Sequence, residues 1–141
     1  MEHTLIYGEA ATGKTLIARA IIEEYLRTHQ NGSLLIFDYK AVDYLDYEKN
    51  KALFRPICSD TQEGWFVHFL EEALNEAKEI LIVMDLMTSH LINKEKETII
   101  KLMSKSNIKF VLVIYEKDKI DRQIMVNFEK IINKTRINRR K

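Results

Sequence analysis

Between Gly8 and Thr15 the chain reads GEAATGKT, with a glycine at each end of a short polar stretch and then a lysine and a hydroxyl side chain. Glycines at those places let the backbone curl until successive N–H groups point into one concavity, which suits an anion. A helix starting near Lys14 would add the partial positive charge of its N-terminus, and Lys14 itself a full cation. Thr15 contributes a hydroxyl oxygen, the kind of ligand hard divalent cations take. These residue types therefore permit capture of a polyphosphate together with its cation.

Such a loop needs a strand to hold its start and a helix to carry its end. Leu5, Ile6 and Tyr7 form an apolar run too short for a helix and consistent with a buried strand. From Leu16 to Thr28, the residues Leu16, Ile17, Ala20, Ile21, Tyr25 and Leu26 fall on one helical stripe, and HQNGS supplies the stop. In that setting the pattern G-x-x-x-x-G-K-[ST] resembles the Walker A motif of P-loop nucleotidases. The resemblance implies that Gly8, Glu9, Ala10, Ala11, Thr12, Gly13, Lys14, Thr15 and Leu16 line a site for ATP. Lys14 would reach the β- and γ-phosphates, and Thr15 would coordinate Mg²⁺.

Mg²⁺ in such a site also needs a carboxylate at the end of a buried strand. Asp85 closes ILIVMD, a near-continuous apolar run that matches the pattern called Walker B. A carboxylate there is costly unless it is paired or bound to metal. Lys14 and Asp85 are thus expected as catalytic groups, and Thr15 and Asp85 as metal ligands. Asp38 closes LLIFD in the same way, as a second metal ligand or as a cap for the loop that follows. Leu86 stands next to Asp85, where ATP-hydrolysing relatives of the additional-strand class carry a glutamate that activates water. Since general-base catalysis contributes about 10²–10⁴-fold, binding can stay tight while hydrolysis slows. Glu116, ending FVLVIYE, is a remote substitute for that base. Glu9 and His90 are polar residues near the expected phosphates, and solvent-facing loop positions account for both.

Strands and helices alternate along the rest of the chain. LFRPICSD offers a weaker strand across Pro56, and Asp60 or Thr61 could cap a helix in which Trp65, Phe66, Phe69, Leu70, Ala73, Leu74 and Ala77 recur through Lys78 as core. After ILIVMD comes a charged helix over roughly Lys94 to Lys105, then FVLVIYE as a strand. Asp121 to Lys134 reads as a last amphipathic helix with Ile124, Phe128, Ile131 and Ile132 inward. This order specifies a three-layer α/β domain with a mostly parallel sheet flanked by helices and ligands beyond the strands' carboxyl ends. At 141 residues, 46% hydrophobic and 30% charged, one domain over 1–141 is expected.

A net charge of +1 favours no class of partner, so distribution matters more. From Lys134 onward the tail carries Arg136, Arg139, Arg140 and Lys141 without an acid, as a nucleic-acid contact or as a solvated terminus. Cys58 is the sole cysteine, which excludes an internal disulfide and a cysteine metal cluster. With no signal peptide and no apolar run long enough to span a membrane, a cytoplasmic location is expected.

The order of features resembles the motor domain of the FtsK/SpoIIIE DNA translocases, within the FtsK/HerA branch of P-loop ATPases. TLIYGEAATGKT corresponds to the first strand and Walker A, LLIFDYKAVDYLDY to the second strand with an acidic-x-Lys signature, ILIVMDLMTSHL to Walker B, NIKFVLVIYEKDKI to the sensor strand, and INKTRI to the closing segment. The resemblance implies a P-loop NTPase fold of the RecA/FtsK type, ATP and Mg²⁺ as cofactors, and Asp38 and Lys40 near the site or a neighbouring subunit. It also implies a homo-oligomeric ring around duplex DNA. Leu86 in place of glutamate and Tyr115-Glu116 in place of a Thr-Gln sensor depart from the family and point to weak hydrolysis. Two further readings fit the residues: an interaction module that binds nucleotide without turnover, and a small P-loop kinase with Asp38 activating an acceptor hydroxyl but no Arg-rich lid.

Overall fold

Strands that are apolar along their whole length need cover on both faces, and the chain arranges its helices to supply it. The computed structural model describes residues 2–9, 12–38, 43–44, 46–47, 53–56, 63–75, 78–85, 89–115 and 117–134, with the side chains of 53–56, 63–66, 69 and 118 excepted. In chain order the elements are β1 (Thr4–Gly8), α1 (Lys14–Thr28), β2 (Ser33–Asp38), β3 (Leu53–Pro56), α2 (Glu63–Leu74), β4 (Ile80–Asp85), α3 (His90–Lys94), α4 (Lys96–Met103), β5 (Ile108–Ile114), α5 (Arg122–Met125) and β6 (Lys130–Lys134). The strands form one six-stranded sheet in the order β3-β2-β4-β5-β1-β6. Every described pairing is parallel, so all the carboxyl ends lie along one rim. Within the sheet, β5 separates β1 from β4.

The pleat sends alternate residues to opposite faces. On one face Ile6, Ile36, Val83, Val111 and Val113 meet Ala18, Ile22 and Tyr25 of α1. On the other, Leu5, Phe37, Ile82, Phe110 and Leu112 pack with Leu70 of α2, Ile92 of α3, Leu102 of α4 and Ile124 of α5. This is the expected three-layer arrangement. Burial within α1 corrects the expected stripe: Ile17, Ile21 and Leu26 are only partly buried, Ala20 is exposed and Leu16 is 71% exposed. The helix begins at Lys14 as expected, and the face it buries runs through Ala18, Ile22 and Tyr25.

Three other expectations are adjusted. The charged helix expected over roughly Lys94 to Lys105 is α4, and a short α3 not foreseen precedes it, set off where Glu95 leaves helical geometry (φ −104°, ψ 31°). The helix containing Leu70 and Ala73 ends at Leu74, short of Lys78; Asp60, Thr61 and Ala77 lie outside the described residues. The last amphipathic helix is overturned. Only Arg122–Met125 is helical, and Lys130–Lys134 is a strand paired with β1 from Thr4↔Lys130 to Gly8↔Lys134. Ile124 and Phe128 are buried as expected, whereas Ile131 is 46% exposed. The side of β1 away from β5 offers a row of backbone partners, and that long-range pairing outweighs a local period compatible with either structure. The weaker strand at Leu53–Pro56 holds the opposite edge, where a proline is tolerated because no neighbour needs its N–H.

His3, just before β1, ties the base of the sheet to α4. Its Nδ1 accepts the Phe110 N–H at 3.1 Å and its Nε2 donates to the Met103 carbonyl at 2.9 Å. Both bonds require the neutral ring. Burial holds the His3 pKa below its usual 6.5, and Lys109 adds to that, against opposing effects from the Met103 carbonyl and Glu129. The unfolded chain therefore takes up this proton more readily than the folded one, so the contribution is complete above about pH 6.5 and lost as pH falls below it. Chemical unfolding is expected to show a lower midpoint at about pH 5.5 than at about pH 7.5, with the difference reduced in His3→Gln. An equal pH slope in the variant would exclude His3 as its source.

Candidate functional site

At the carboxyl end of β1 the backbone of Gly8 lies against β6. A Cβ at Gly8 would stand 2.0 Å from the carbonyl oxygen of Lys134, and its φ is 152°. Gly13, with φ 86°, turns the chain into α1 from the left-handed region. Among the described residues no side chain caps the start of α1, and its first turn holds no acid. The first-turn amides are thus arranged as an anion site requires. Thr12 Oγ1 donates to the Glu9 carbonyl at 2.8 Å, which folds the loop across itself. Lys14, 6% exposed, turns back into it: Nζ donates to the Gly8 carbonyl at 3.0 Å and to that of Glu9, and lies 4.6 Å from the centre of the Tyr115 ring. Ala10 and Ala11 lie outside the described residues.

Thr15 faces the other half of the site. Its Oγ1 donates to Asp85 Oδ2 at 2.8 Å, joining the first turn of α1 to the end of β4. Asp38 is in register with Asp85 on the neighbouring strand. It is 1% exposed and its Oδ2 accepts the Asp43 N–H at 2.9 Å, so the loop-capping role is present. The expected pair of ligands, Thr15 and Asp85, is brought together. Glu9 and His90 are exposed, and Lys40, Leu86 and Glu116 lie outside the described residues.

Tyr44 is the participant that sequence reasoning missed. Its hydroxyl donates to the same Asp85 Oδ2 at 2.6 Å, and the residue is fully buried. Burial first, then the Asp85 charge, hold its pKa far above the ordinary tyrosine range, so the phenol stays protonated and donates. Arg19 of α1 fastens the segment around it, donating to the Asp43 carbonyl at 2.8 Å and to both oxygens of Asp46 at 2.9 and 2.6 Å. The Arg19 guanidinium also lies 4.7 Å from the centre of the Tyr47 ring. A faint signal was present in DYLDY, where acid-tyrosine pairs recur three residues apart.

A hydroxyl and a carboxylate in contact form a hard-oxygen donor set. Among the described residues no three histidine, cysteine or acidic side chains cluster as a metal cage. That composition fits Mg²⁺, which keeps water and takes phosphate oxygens rather than filling its shell with protein.

No protein-family model matches the sequence, and no curated protein does. Solved structures do match the fold. The cytoplasmic domain of EssC superposes with a TM-score of 0.76 at 16% identity, over 98% of this chain and 32% of that one. EssC ATPases 2 and 3 from Geobacillus thermodenitrificans give 0.75 at 15% identity, over 97% of this chain and 32% of that one. The pCW3 conjugation coupling protein TcpA, in a monomer form with ATPγS, gives 0.67 at 20% identity, over 94% and 48%. The chain thus has the fold that these EssC and TcpA structures share, and it spans 32–48% of their length.

The two loop glycines differ in what a side chain would meet. At Gly13 a Cβ finds nothing within 4 Å, so Gly13→Ala should cost only the left-handed strain, about 1–2 kcal/mol. Gly8→Ala adds the collision with Lys134 and should cost more, about 3 kcal/mol or above. Denaturant midpoints of the two variants check the ranking; equal losses would mean that β6 does not crowd Gly8.

Proposed function

We propose that the chain binds ATP with Mg²⁺ and hydrolyses it slowly, as a domain of a nucleotide-driven machine of the FtsK type. The observation that carries this reading is the 2.8 Å contact between Thr15 and Asp85, at the mouth of a glycine-flanked loop that opens a helix with no side-chain cap among the described residues. The loop amides and the start of α1 would receive the phosphates, and Lys14 would exchange the Gly8 and Glu9 carbonyls for phosphate oxygens. Thr15 and Asp85 would hold the Mg²⁺, which when bound neutralises polyphosphate charge. TcpA, which shares the fold, was determined with ATPγS, and that supports a nucleotide as ligand here.

Slow turnover follows from what surrounds Asp85. Leu86 stands where a water-activating glutamate would be expected, and Tyr44, protonated and donating, cannot accept a proton from water. Duplex DNA is the macromolecular partner this reading implies, with the basic residues from Lys134 onward as a phosphate contact and a homo-oligomer as the working form.

Calorimetric titration with ATP and Mg²⁺, read beside phosphate release, tests the reading. Lys14→Ala should weaken binding by about 10- to 100-fold, the value of one or two charge-assisted hydrogen bonds. Unchanged affinity in that variant would refute the site. Leu86→Glu should raise phosphate release, up to about 100-fold. If wild type and Leu86→Glu both bind ATP and release none, the chain is a binding module without turnover. Duplex DNA should bind with an affinity that falls steeply as salt is raised, and salt-independent binding or none would remove DNA from the account.

A further inference from the structure

We propose that Tyr44 is a positioning residue for the cation-holding carboxylate, fixing Asp85 through the phenol hydroxyl; this rests on the Mg-ATP reading above. Two donors converge on one oxygen of Asp85, Thr15 Oγ1 at 2.8 Å and Tyr44 OH at 2.6 Å. A carboxylate turns easily about its terminal torsion, whose preferences are broad and two-fold. Donors arriving at Oδ2 from α1 and from the segment after β2 set the plane of the group.

The two donors are not equivalent. Thr15 has a second task, since its oxygen is itself a metal ligand in this reading, whereas Tyr44 is 0% exposed and its hydroxyl faces Asp85. Tyr44 is held from several sides. The Asp43 N–H is bound to Asp38 and the Asp43 carbonyl to Arg19, Asp46 pairs with Arg19, and the Tyr47 ring lies 6.4 Å away and tilted by 31°. Asp43 and Asp46 are therefore tied to α1 and Asp43 to Asp38 of β2, and Tyr44 beside them delivers one hydroxyl to the end of β4. It supplies order to the ligand without touching nucleotide or cation. Groups that orient a metal ligand from behind typically govern about 10- to 100-fold of metal affinity.

The test separates the cation's contribution from that of the phosphates. Affinity for a fluorescent ATP analogue is measured with Mg²⁺ and with EDTA, in wild type, Tyr44→Phe and Tyr47→Phe. Tyr44→Phe should retain its affinity in EDTA and lose about tenfold of the Mg²⁺-dependent gain, while Tyr47→Phe keeps that gain. A full gain in Tyr44→Phe overturns the proposal and leaves nucleotide binding standing. Wild type that binds no nucleotide, or binds it with no help from Mg²⁺, overturns the reading and the proposal together. If Tyr44→Phe does not fold, 3-fluorotyrosine placed at position 44 of the otherwise native chain provides the readout. Its ¹⁹F resonance should shift when Mg²⁺ is added to the nucleotide complex, and an unmoved resonance overturns the proposal.

Discussion

The hydrogen bond from Thr15 to Asp85 spans 70 residues of sequence and joins the two places where this chain concentrates its chemistry. Neither residue can reach the other unless the start of α1 and the end of β4 arrive at the same rim. A parallel sheet does this by construction, because each crossover returns the chain to the same starting edge. With β5 between β1 and β4, the loop that follows β1 must lean across one strand to reach Asp85. α1, which starts from a left-handed turn at Gly13, brings Thr15 to that carboxylate.

α1 therefore serves both packing and chemistry. Ala18, Ile22 and Tyr25 seal one face of the sheet, and the same rigid rod sets where Lys14 and Thr15 begin. Arg19, one residue past the innermost Ala18, extends the helix's reach to the segment that carries Tyr44. The Arg19–Asp46 pair is substantially solvent-facing, so its value lies in geometry more than in stabilisation. The core, the loop and the Tyr44 segment thus share one helix, and displacement of that helix would disturb all three.

Much of this is legible in the sequence. The β1 and β4 runs are continuous and apolar, and the GEAATGKT spacing carries its mechanism in the residue types themselves. What could not be read depended on distant partners. The Ile131-Ile132 pair satisfies a helical period as well as a strand's, and only the row of backbone partners along β1 decides between them. Leu16 fits an apolar stripe by spacing, yet α1 turns Ala18, Ile22 and Tyr25 to the sheet and leaves Leu16 71% exposed. Tyr44 lies in a stretch without periodicity, and its importance comes from a carboxylate 41 residues further along.

The outermost described strands carry a safeguard in their composition. β3 ends in Pro56, a residue with no N–H to offer a foreign strand, and β6 is bracketed by Lys130 and Lys134. Charged ammonium groups and an absent donor both oppose edge-to-edge growth of sheets into aggregates. The same lysines leave Ile131 outward on β6 without making that margin an adhesive one. Each outermost described strand therefore carries its own obstacle to pairing with a foreign strand.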